Sequence, residues 1–101
     1  MRVLRYSDDG DQDLFAITLR IAVESGSREI AKAFEQKIHS HCSLLASLPG
    51  TLGTARPELG SGIRSTPSQG YTIFFRYVGD VLEVLHILHA SRDVISHFDE
   101  G

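Results

Sequence analysis

Apolar residues recur at helical spacing in the first half of the chain and crowd into strand-like runs in the second. From Asp13 to Glu24, Leu14, Ile17, Ile21 and Ala22 fall on one helical face. Ser25-Gly26-Ser27 interrupts that pattern, and Ser27 can cap a second helix that runs to about Leu48. Its apolar positions are Ile30, Ala31, Phe34, Ile38, Cys42, Leu45 and Leu48, with Glu29, Lys32, Glu35 and Lys37 on the other sides. Helices joined so tightly lie antiparallel as a hairpin. Ahead of them, Met1 to Ser7 reads as a short strand around Val3 and Leu4. The acidic run from Ser7 to Asp11 reads as a helix entry, where short oxygen-bearing side chains accept free N–H groups and negative charge suits the dipole. Asp9 and Gln12 have capping-box spacing.

Pro49-Gly50 ends the second helix, and Thr51 to Gly62 is a glycine-rich loop containing Pro57. Ile63 to Thr66 is a brief strand, Ser68-Gln69-Gly70 a turn, and Tyr71 to Val78 a strong strand. Gly79-Asp80 makes a two-residue hairpin loop and Val81 to Ala90 returns. This register sets Val78 opposite Val81 and Arg76 opposite Glu83. Strict alternation then puts Ile73, Phe75, Tyr77, Leu82, Val84, His86 and Leu88 on the face that packs against the helices. Phe74, Arg76, Glu83, Leu85 and Ile87 fall on the other face, whose mixed character implies that something covers it. Ser91 to Phe98 forms a short tail. The expected fold is α+β: a helical hairpin packed on a small antiparallel sheet, in the order β-α-α-β-β-β, forming one domain over residues 1–101.

Charge narrows the choice of partner. With 10 Lys+Arg against 13 Asp+Glu the net charge is -3, which argues against nonspecific binding to a phosphate backbone and for a protein partner or a shaped site. Cys42 is the one cysteine, so no internal disulfide forms, and a lone thiol fits a reducing cytosol. The N-terminal residues reach an acidic run before any apolar stretch, unlike a signal peptide, and no window approaches the ~18 apolar residues of a membrane span.

The chemistry on offer is sparse. His39 and His41 point in different directions on a helix, and His86 and His89 face opposite sides of a strand, so neither pair has metal-ligand spacing and no metal or other cofactor is expected. Cys42 lies on the apolar stripe, where a core thiol is the expectation. Beyond residue 50 there is no lysine, and the basic residues are Arg56, Arg64, Arg76 and Arg92. Such arginines either pair structurally with Glu58, Asp80, Glu83 and Asp93 or serve recognition of an anion or a partner. His89, near Arg92 and Asp93, is a second candidate, because His with Arg can move protons and hold phosphate.

Several segments together resemble a known superfamily. These are Asp13-Leu14-Phe15-Ala16-Ile17, Phe34 to Pro49, Arg56-Pro57-Glu58-Leu59, Gly62-Ile63-Arg64-Ser65, Tyr71 to Arg76, Leu82 to Leu85 and Leu88 to Asp93. In order and spacing they resemble the ParE/RelE superfamily, toxins of bacterial type II toxin–antitoxin systems, and more closely its ParE branch. The resemblance implies the fold just derived, a cytoplasmic growth-arresting toxin, and a ParD-like antitoxin that wraps and neutralises it. ParE-like members act on DNA gyrase without a catalytic site of their own. RelE-like members cleave mRNA on the ribosome with basic residues and a C-terminal Tyr or His, and here the last tyrosine is Tyr77, inside the hairpin. On the ParE reading Arg64, His89, Arg92 and Asp93 form the toxic surface, and Phe74, Leu85 and Ile87 take the antitoxin, as exposed parts of the helical hairpin also could. Two alternatives stay open: an mRNA endonuclease using His89 and Arg64, and a non-toxic relative that only binds its partner.

Overall fold

The computed structural model describes residues 2–90 together with Val94 and Phe98. In chain order the elements are β1 (Val3–Tyr6), α1 (Asp8–Ser25), α2 (Arg28–Ser47), β2 (Thr54–Ala55), β3 (Arg64–Ser68), β4 (Tyr71–Val78) and β5 (Val81–His89). The strands form one sheet in the order β1-β5-β4-β3-β2. The α+β class and the helical hairpin stand as expected. The strands differ in three details: β2 adds a two-residue strand inside the glycine-rich loop, β3 runs on to Ser68 where a turn was expected, and β1 runs parallel to β5, so the sheet is mixed.

Local chemistry sets the helix ends. Ser7, not Asp9, caps α1: its Oγ accepts from the Gly10 N–H at 3.0 Å. The helix therefore starts at Asp8, with Asp8, Asp9 and Asp11 in its first turn, where their charge suits the dipole. Gly26, at φ 69°, ends α1 in the left-handed conformation that glycine adopts without strain. Ser27 then caps α2 by accepting from the Ile30 N–H at 3.2 Å. The buried face of α2 comprises Ala31, Ile38, Cys42, Leu45 and Ala46. Ile30 and Leu48, read from the sequence as part of that stripe, are exposed.

The hairpin register is as expected near its turn, with Val78 opposite Val81 and Arg76 opposite Glu83. It then slips. Phe75 pairs with Val84 but Phe74 pairs with His86, leaving Leu85 as an extra residue in β5. A bulge of this kind swaps the faces of every residue beyond it. Ile87 consequently joins Ile73, Phe75, Leu82 and Val84 in the core under Leu14, Ile17, Ile38, Cys42 and Leu45. His86 and Leu88, expected on that face, leave it, and the assignment of Ile87 to the outer face is corrected with them.

The start of α1 fills the gap that β1 leaves along β5. Beyond Tyr6 the chain turns away, and the freed backbone groups of β5 find other partners. The Ser7 N–H donates to the Val84 carbonyl at 2.9 Å and the Ser7 hydroxyl donates to the Leu85 carbonyl at 3.0 Å. Asp13 Oδ2 accepts from the Ile87 N–H at 3.0 Å. Buried backbone groups need such partners, so the bulge is held by side chains of the helix. At the opposite side of the sheet, Pro67 in β3 faces the edge beyond β2, where its missing N–H costs no ladder bond.

Candidate functional site

Arg64 begins β3, opposite Phe75. Its Nε donates to the Leu52 carbonyl at 2.6 Å and its Nη2 to the Gly53 carbonyl at 3.1 Å. The Leu52 N–H in turn donates to the Tyr77 hydroxyl at 3.1 Å, and the Arg2 guanidinium lies 4.2 Å from the centre of the Tyr77 ring. Arg64 thus anchors the glycine-rich loop to the sheet while keeping part of its guanidinium toward solvent.

His89 ends β5, opposite Tyr71. Its ring meets Tyr71 edge-on at 5.4 Å, and Phe34 meets Tyr71 likewise at 5.4 Å. Arg20 donates a short hydrogen bond to the Tyr71 hydroxyl. His89, Tyr71 and Arg20, with Asp13, Ile17 and Leu88, line an open cleft of about 460 Å³ between α1 and the end of β5. Arg64 and His89 do not share this cleft. They are separated by four residues along β4, roughly 13 Å, and by two strand spacings, roughly 10 Å, across the sheet. Arg92 and Asp93, the other candidates for the toxic surface, lie outside the described residues.

Two of the remaining arginines make structural pairs. Arg56 Nε donates to Glu58 Oε2 at 2.7 Å, which holds the Glu58 carboxyl below the usual carboxylate range. The same guanidinium donates to Ser65 Oγ at 3.3 Å and lies 5.6 Å from the centre of the Phe74 ring. Glu83, nearly buried, accepts from Arg76 Nε at 2.9 Å and from Arg5 Nη2 at 3.0 Å. Its two partners stay half-exposed, so the cluster fixes strand register more than it adds stability.

The outer face is already covered. Phe74 is fully buried, with the Phe98 ring edge-on against it at 5.3 Å. Leu85 is half-buried at the bulge, and Ile87 faces the core. Of the three residues read as antitoxin contacts, only Leu85 presents surface in this conformation. His86, a neighbour of Phe74 across the hairpin, sits with Nδ1 3.0 Å from Asp13 Oδ2, Nε2 3.9 Å from Asp9 Oδ2, and its ring 5.0 Å from Phe98. The Asp13–His86 and Arg20–Tyr71 contacts join residues more than fifty positions apart, and no local motif announces them.

Cys42 is fully buried, and burial pushes its thiol up to about 11. A nucleophile needs the thiolate, so this side chain is a core residue. Tyr6, whose phenol burial also raises, approaches His39 Nδ1 at 3.4 Å. Among the described residues, no helix is long and apolar enough to cross a membrane.

Comparison with known proteins agrees with this architecture. A solved structure titled "Chromosomal ParDE TA system from P. aeruginosa" superposes with a TM-score of 0.73 at 25% identity, covering 88% of this chain and 96% of that one. A search of curated proteins gave no match. The family model described as "ParE toxin of type II toxin-antitoxin system, parDE" matches residues 4–94. That match takes in both helices and every strand but the first residue of β1, and by it the chain belongs to the ParE toxin family of type II toxin–antitoxin systems.

Proposed function

We propose that this protein arrests bacterial growth by inhibiting DNA gyrase, and that a ParD-like antitoxin neutralises it. The family match over residues 4–94 carries the reading, and the ParDE title of the similar structure supports the choice of partner. The distribution of charge favours a protein target over a ribosome-bound message. The net charge is -3, and Arg56 and Arg76 are each paired with a carboxylate. The nuclease alternative needs Arg64 and His89 to act on one phosphodiester, and they stand two strands and four residues apart on the sheet.

Arg64 and His89, with Arg92 and Asp93, remain our assignment for the toxic surface. For the antitoxin we assign the outer face at Leu85 and Phe74, where an incoming apolar side chain would take the place of Phe98 on the Phe74 ring. Incorporation of labelled thymidine and labelled methionine after induction of this chain alone separates the targets. An early fall in thymidine incorporation, followed by inhibition of supercoiling by purified gyrase, is the expected result. An early fall in methionine incorporation with cleaved transcripts would replace this reading with the nuclease one, and undisturbed growth would replace it with the non-toxic relative.

A further inference from the structure

Helix α1 is apolar on two opposite sides. Gly10, Leu14 and Ile17 are buried toward the sheet, and Ile21 packs against the same core. At about 100° per residue, Phe15, Leu19 and Val23 fall on the far side of the helix. They are 68%, 54% and 75% exposed. Scattered apolar residues on a surface need no explanation, but three large ones in a continuous row mark a contact.

The charges at the ends of this row indicate what covers it. Asp8 and Asp11 stand exposed at its N-terminal end; at its C-terminal end Glu24 is taken up by Arg20 at 3.9 Å, and Arg28 stands exposed just beyond Gly26. We propose that the row is the contact between two copies of this chain, α1 against α1, antiparallel about a two-fold axis through Leu19. That arrangement lays Phe15 on Val23 of the second copy and brings each acidic end beside the Arg28 of the other. Every contact then occurs twice, as a two-fold interface requires. A parallel pairing would set Asp8 and Asp11 against their own counterparts, at a cost in repulsion. The helix is roughly 27 Å long, so its face alone falls at the small end of stable interfaces, and the dimer forms reversibly with concentration. The inference is independent of the gyrase assignment, since it concerns a different face and reads assembly instead of toxicity.

Sedimentation velocity of the purified full chain over a wide concentration range tests it. The mass is expected to rise from one chain to two. Leu19→Glu, at an exposed site that leaves the core intact, is expected to raise the dissociation constant by about tenfold or more. Asp11→Arg and Arg28→Asp are each expected to weaken association by about threefold, and the double variant to restore it. Far-UV circular dichroism establishes that each variant is folded. A chain that stays monomeric at every concentration overturns the inference, whether or not an antitoxin then binds the row. A dimer indifferent to Leu19→Glu overturns it too, and failure of the charge swap to restore association overturns the antiparallel register.

Discussion

At the scale of single residues, burial decides more than chemical type. Cys42 looks like a candidate nucleophile in a list of side chains, yet it lies in the core and its thiol is raised from 9.0 to about 11. The unfolded chain releases that proton near pH 9, whereas the native one holds it until about pH 11. Between those values the unfolded state binds fewer protons, so stability falls as pH rises. The contribution is complete below about pH 9 and lost by about pH 11; it amounts to about 2–3 kcal/mol in all. Urea midpoints measured from neutral to alkaline pH should show this decline, and Cys42→Ala should remove the part that begins near pH 9, leaving the later fall that the raised Tyr6 phenol causes. Gly53 is a position where only glycine fits. It sits at φ 76°, and a Cβ there would come within 2.7 Å of the Ser65 carbonyl oxygen and 2.9 Å of the Phe75 ring. Gly53→Ala should cost about 1–3 kcal/mol in chemical denaturation, since both the backbone conformation and the contact resist it.

At the scale of elements, the two helix caps look alike in sequence and differ in what they hold. Ser27 Oγ accepts from the Ile30 N–H and fixes the start of α2. Ser7 Oγ accepts from the Gly10 N–H and also donates to the Leu85 carbonyl at the bulge of β5. Loss of a cap costs about 1 kcal/mol, and an orphaned buried carbonyl adds about 1 kcal/mol or more. Ser7→Ala should therefore lower the denaturant midpoint by about twice as much as Ser27→Ala, with the m-value unchanged in both. The cap at Ser27, the limits of β4 and the Gly79-Asp80 turn were legible because each depends on neighbours in the chain. The bulge was not legible. Val84, Leu85 and Ile87 are all apolar, so nothing in the alternation marks which of them is the extra residue. The choice falls to Ser7 and Asp13, which satisfy the β5 backbone from a different element.

At the scale of the whole molecule, topology separates what the chain order suggested as one site. Arg64 anchors the glycine-rich loop beside β3, and His89 borders the cleft under α1 two strands away. Sites this far apart act independently. Arg64→Ala and His89→Ala should thus reduce toxicity by factors that multiply in the double variant, as scored by growth after graded induction; a double variant no worse than either single one would place both residues in one unit. Taken alone, the sequence determined the α+β class, the helical hairpin, the register of β4 and β5 near their turn, and the family. These rest on periodicity, capping and turn chemistry, or on the order of short segments, all of which act over a few residues. Tertiary structure decided the parallel seat of β1 on β5, the bulge that carries Ile87 into the core, the cover that Phe98 lays over Phe74, and the distance between Arg64 and His89. Each of those depends on which distant backbone groups and rings need a partner once the chain is compact, and local pattern carries no record of that need.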